Sequence, residues 1–183
     1  MQPSEPADQV GAPRRVPTAK DFPKTGPFSL AAPGPRFGAR ALDLALVAFP
    51  VLIVIAITAK SIDGQLQFDV PVWLLPAALA FAVVYEFLFV LLIQRTLGKL
   101  LFGLRVVRYV DGGRPSGTQC ALRALLPWSV LALPIGPFAV GAVFLVYGTG
   151  IGGELHRGWP DRVGGTLVIS TRLVPTRSTL ISK

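Results

Sequence analysis

Histidine, cysteine and asparagine are almost missing from this sequence, and each absence removes a class of chemistry. Cys120 is the single cysteine, so neither an internal disulfide nor a thiolate metal cluster can form. His156 is the single histidine, and no convergent set of nitrogen and sulfur ligands accompanies it, so no metal site is expected. Asparagine is absent altogether, which excludes the N-glycosylation sequon. Charge is scarce as well: Asp, Glu, Lys and Arg make up 15% of the 183 residues, against about 25% in soluble domains. No nucleophile–base pair or cofactor loop is visible. The "TLGK" at residues 96–99 lacks the GxxxxGK[ST] of a phosphate-binding loop. Neither an enzyme nor a cofactor is expected.

What is present is grease and positive charge. Apolar residues account for 51% of the chain and the mean hydropathy is +0.56, which points to lipid as the solvent. The net charge of +8 comes from 18 Lys and Arg against 10 Asp and Glu. With no recognition motif or run of base-stacking aromatics, nucleic acid is not the expected partner. Basic loops facing an anionic leaflet account for the surplus. Membrane lipids are therefore the first expected partner. The Ala, Gly, Pro and Arg content is compatible with a GC-rich bacterial genome.

Residues 1–35 are dominated by Pro, Gly, Ala and small polar residues. They read as a disordered cytoplasmic tail, too poor in apolar surface to offset the entropy of ordering. They contain no continuous apolar core of a cleaved signal peptide. A membrane domain is expected over residues 36–172 and a short C-terminal tail over 173–183.

Three apolar blocks follow. Residues 41–59 and 72–93 are each long enough for a transmembrane helix. Pro50 lies inside the first, and Trp73 stands at the edge of the second as an interface anchor. The third block, residues 125–148, is broken by Pro134, Gly136 and Pro137. It reads either as a re-entrant hairpin or as one kinked span. The cations of the N-terminal region and of the 94–123 loop place both in the cytoplasm. The basic C-terminal segment favours a hairpin that brings it back to that side. The alternative is a crossing with an exported basic tail. Outside the blocks, residues 102–116 carry Val106, Val107 and Val110 before an Asp-Gly-Gly turn, and residues 164–170 form another short β-type run. These are expected to pair as a small cytoplasmic ribbon. The predicted class is thus an all-α membrane protein with two transmembrane helices, a broken third segment and a β-ribbon.

The ionisable residues in the apolar blocks carry the functional signal. Arg40 and Asp43 are three residues apart and share one helical face. A carboxylate in a span costs about 2.5–3.5 kcal/mol on insertion scales, and a nearby guanidinium offsets part of that cost. Glu86 lies in the second span at a depth similar to Asp43. Two such acids can serve a proton or cation relay, or they can be structural.

These residues resemble the RDD family of membrane proteins, whose name records an arginine and an aspartate in the first span and a later aspartate. The matching positions are Arg40 and Asp43 in "ARALD" and Asp161 in "HRGWPDRVGGTLVI", with "TLGKLLFGLRVVRYVDGGRPS" at residues 96–116 as a further match. The resemblance covers residues 36 to about 172 and implies a multi-pass membrane domain. It implies either transport, such as sodium/proton antiport, or a role as an accessory component of membrane assemblies.

Arg40, Asp43, Glu86 and Asp161 are therefore the expected polar cluster, with Asp161 either held by Arg105 or Arg123 or capping the first turn of a short helix. Lys99, Arg105 and Arg123 are expected to contact lipid phosphates or a partner. Two functions follow. One is a transporter or transporter subunit moving protons or cations through the carboxylates, which with so few spans requires a homo-oligomer. The other is a non-enzymatic scaffold or assembly factor that contacts other membrane proteins. Either sits in a plasma membrane with the N-terminus cytoplasmic.

Overall fold

The computed structural model describes residues 17–133 and 138–172. The Pro134–Pro137 breaker and the 173–183 tail lie outside them. Pro33–Thr58 forms α1, which opens with proline in its first turn and continues through Pro50. Proline costs nothing at that opening position because the missing N–H would have no helical partner there. At 26 residues, α1 is about 39 Å long. Leu74–Ile93 forms α2, of 20 residues and about 30 Å. Both are long and apolar enough to cross a membrane, and little of either is covered by protein: 11% of the most apolar window of α1 and 22% of that of α2 is buried. That leaves their outer faces uncovered by protein.

Between them the sequence suggests only a loop, but Ala59–Ile62 (β1) and Gln65–Phe68 (β2) pair as an antiparallel hairpin. Its turn is Asp63-Gly64, with φ of 51° and 77°. Two consecutive positive φ angles define the primed turn that fits the twist of paired strands, and Asp-Gly is a preferred sequence for it.

Past α2, Gln94 ends the helix in a left-handed conformation. Leu97–Leu101 then forms the short α3 and Leu104–Arg108 forms β3. The third apolar block is two helices. Gly117–Leu131 (α4) starts at Ser116, which caps Gln119 and is capped by it in return. Phe138–Gly148 (α5) packs against α4. At 15 and 11 residues, they are about 22 and 16 Å long, and neither reaches across a hydrocarbon core of about 30 Å alone. The chain after α5 comes back to the start of α4: Trp159–Val163 (α6) packs on α4, and Thr166–Ser170 (β4) pairs antiparallel with β3, Val106 opposite Val168. The expected pairing of the two β-type runs is present.

The ribbon also relocates part of the expected tail. Residues 1–16 lie outside the described ones, but 17–32 run over the ribbon. Leu104, Val106 and Val168 face the helices and pack with Ala39, Val90 and Cys120. On the other face Val107, Leu167 and Ile169 are covered by Phe22, Leu30 and Leu155. Leu30 bridges Ile169 as a partial third strand. A ribbon apolar on both faces needs covering on both, and the segment before α1 supplies the second cover.

Candidate functional site

One end of the helices gathers the ionisable residues. It is the end where α1 begins, α2 finishes, and α3, α6 and the ribbon lie. Arg40 and Asp43 on α1, Glu86 on α2, Lys99 on α3, Arg123 on α4 and Asp161 on α6 are all buried.

The pairing inside this group differs from the expected one. Arg40 and Asp43 do share a face of α1, but the Arg40 guanidinium turns to Glu86 (Nη1 to Oε2, 2.7 Å). It also lies 4.4 Å from the ring centre of Trp128 and 4.9 Å from that of Tyr147. Two aromatic faces hold a desolvated cation well, and Asp43 offers neither. Trp128 fixes the other side of the pair, its indole Nε1 donating to the same Glu86 oxygen at 3.0 Å.

Asp43 points to the start of α3. Its carboxylate accepts from the hydroxyls of Tyr85 (2.9 Å) and Thr96 (2.6 Å) and from the backbone N–H of Gly98 (2.9 Å). Thr96 is also the cap of α3, as its place before "LGK" suggests. Gly98 is where α3 touches α1. A Cβ there would sit 2.1 Å from the carbonyl oxygen of Ala39, so no other residue fits without moving backbone.

Lys99 corrects a second expectation. It does not face lipid phosphates; it is buried, and its Nζ lies 3.9 Å from carboxylate oxygens of both Asp43 and Glu86. Burial pulls its pKa down to about 8, the two carboxylates opposing that shift and Arg123 and Arg40 adding to it. Arg123 is likewise interior rather than a lipid contact. It pairs with Asp161 and donates to the Thr166 hydroxyl at 2.9 Å. Arg105 stays outside the group, donating to the Gln94 side chain from the ribbon.

Asp161 is therefore held by Arg123, one of the two partners expected for it, and by one that was not expected, Arg36. Arg36 also donates to the backbone oxygen of His156. Its signal in the sequence is its position four residues before Arg40, on the same face of α1. Tyr85, Trp128, Tyr147 and Thr166 were not singled out either. They are ordinary residues of apolar helices and strands until their neighbours are known. Arg36, Arg40, Lys99, Arg123 and Tyr147 line one small cavity with Leu104 and Val168, so the Arg40–Glu86 and Arg123–Asp161 groups border a common space.

A larger cavity of about 710 Å³ lies further along the helices, among α1, α2, α4 and α5. Leu44, Val47, Leu79, Leu131 and Val140 are in its wall, and no charged residue lines it. Trp128 is shared between this wall and the polar group. Among the described residues no group of three or more His, Cys, Asp or Glu could hold a metal ion.

Comparison with known proteins gives one match: the family model described as the RDD family covers residues 30–165. No curated protein and no solved structure matches.

Proposed function

The chain belongs to the RDD family, and from that premise we propose that this membrane protein is a non-enzymatic scaffold whose buried charges fasten its segments together. The observation that carries this reading is the pairing pattern. Each ion pair of the cluster joins different elements: α1 to α2 through Arg40–Glu86, α1 to α3 through Asp43–Lys99, α2 to α3 through Glu86–Lys99, α1 to α6 through Arg36–Asp161, and α4 to α6 through Arg123–Asp161. Groups that could not tolerate lipid singly are paired with one another. The apolar wall of the 710 Å³ cavity offers an ion no hydration on its way to the carboxylates, which favours a scaffold over a conduit. The sparsely covered faces of α1 and α2 then serve lipid and the helices of a second copy or of other membrane proteins. In this reading the polar end and the N-terminus face the cytoplasm of a bacterial plasma membrane, an orientation that the cations gathered at that end support. In this reading α4 and α5 enter and leave the bilayer on the same side, as the two arms of a re-entrant hairpin.

One observation favours the second reading, a proton or cation transporter. Lys99, with a pKa of about 8, lies between two carboxylates, and such a lysine can release its proton as a cation arrives. Two experiments separate the readings. Affinity purification from native membranes should return a membrane partner in fixed stoichiometry. Purified protein in proteoliposomes with a pH dye and Na⁺ or K⁺ gradients should give a flat trace. Cation-dependent proton flux from the protein alone would overturn the scaffold.

A further inference from the structure

The small cavity at the polar end has an unusual wall. Four cationic side chains, those of Arg36, Arg40, Lys99 and Arg123, meet there with the phenol of Tyr147, and Leu104 and Val168 complete it. No carboxylate lines it. The acids of the cluster lie behind the cations. Asp43, Glu86 and Asp161 supply three negative charges against those four positive ones, so the group, counted with the part-buried Arg36 (side chain 12% exposed), carries one positive charge in excess.

The same wall carries unused donors. Arg40 Nε and Nη2, Arg123 Nε and the Tyr147 hydroxyl are buried without a hydrogen-bond partner among the described residues. Arg40 is 2% exposed and Arg123 1%. A buried donor left without an acceptor costs about 1–3 kcal/mol, more when charged. Two acceptor-capable atoms without a hydrogen bond among the described residues, Glu86 Oε1 and His156 Nδ1, are buried too, but neither residue lines the cavity.

We propose that this cavity is a binding site for a small monovalent anion, chloride being the abundant one, held by the Arg40 and Arg123 guanidiniums, the Lys99 ammonium and the Tyr147 hydroxyl. The charge excess sets the valence at one. The available space, about that of a single water molecule, excludes phosphate, carboxylates and lipid headgroups. The anion acts as a counter-ion that completes the cluster, so the proposal is independent of whether the protein is a scaffold or a transporter.

The test uses the full chain purified in detergent in halide-free buffer. Thermal unfolding is recorded against sodium chloride, sodium bromide and sodium gluconate at matched ionic strength. Chloride and bromide should raise the midpoint saturably, while gluconate, too large for the cavity, should leave it unchanged. Tyr147→Phe removes one donor and keeps the ring beside Arg40. It should fold, with the halide concentration at half-effect raised several-fold. Crystals soaked in bromide should show an anomalous peak between Arg40 and Arg123. Unfolding curves that coincide in all three salts, or a water at that position in bromide-soaked crystals, would overturn the proposal.

Discussion

Glu86→Gln is the most informative single perturbation of the cluster. The substitution keeps side-chain size and leaves an oxygen that can accept from Trp128 and Arg40. It removes the negative charge that faces Arg40 at 2.7 Å and Lys99 at 3.9 Å. Arg40 and Glu86 are 2% and 1% exposed, so water cannot replace the lost partner. Removing one member of such a buried pair costs about 3–5 kcal/mol. At about 2–4 °C per kcal/mol for a chain of this size, the melting midpoint in mild detergent should fall by roughly 6–20 °C. Arg40→Met should cost less. It takes a cation from a group that has one to spare, and Lys99 at 3.9 Å remains to serve Glu86. The double variant Arg40→Met/Glu86→Gln should be more stable than Glu86→Gln alone, with a coupling of about 2 kcal/mol in the cycle. Additive single effects, or a Glu86→Gln protein that melts with the wild type, would refute the claim that this pair is buried and mutually satisfied.

Other expected outcomes follow from neighbouring contacts. Gly98→Ala should abolish the seating of α3 on α1, because the new methyl carbon meets the Ala39 carbonyl at 2.1 Å. A large loss of monodisperse protein in size-exclusion chromatography checks it, and a normal profile would contradict it. Lys99 has a pKa lowered from 10.5 to about 8 by burial, so between those values the unfolded chain binds more protons than the folded one. Wild-type stability should therefore rise with pH from about 8 to 10.5 relative to Lys99→Met, as thermal melts of the two across that window would read. The groups facing Lys99, namely Asp43, Glu86, Arg40 and Arg123, are present in both proteins. Leu30→Ser should uncover Val107, Leu167 and Ile169 and lower stability by about 1–3 kcal/mol, measured by the same melts. An unchanged midpoint would mean that the segment before α1 does not cover the ribbon.

The sequence made some of this architecture legible and hid the rest for physical reasons. Long apolar runs marked α1 and α2, since only a helix satisfies its own backbone in lipid. β-branched runs marked the ribbon. The Asp63-Gly64 turn signal was equally plain, yet its flanking residues are mostly exposed, so no apolar alternation drew attention to the hairpin. The covering of the ribbon by residues 17–32 was readable only indirectly: Val106-Val107 and Leu167-Val168-Ile169 are continuous apolar runs rather than alternating ones, which implies burial on both faces. In the cluster, helical spacing marked Arg40 and Asp43, the apolar span around it marked Glu86, and the family resemblance marked Asp161. Pairing was not legible, because Arg40 chose between two carboxylates according to where Trp128 and Tyr147 lie. Lys99 was misplaced on the surface for a similar reason. Lysine is rarely buried unless paired, and its partners come from α1 and α2, remote in sequence.

If the buried carboxylates hold the segments together, Asp43→Asn should reveal it when stability and flux are measured on the same reconstituted sample. Asp43 accepts from three donors, on Tyr85, Thr96 and Gly98. An amide would turn a donor toward one of them, at a cost of about 1–3 kcal/mol. The expected outcome is a lowered melting midpoint with proton traces as flat as those of the wild type. A variant that melts with the wild type but loses a cation-driven proton flux that the wild type shows would contradict it.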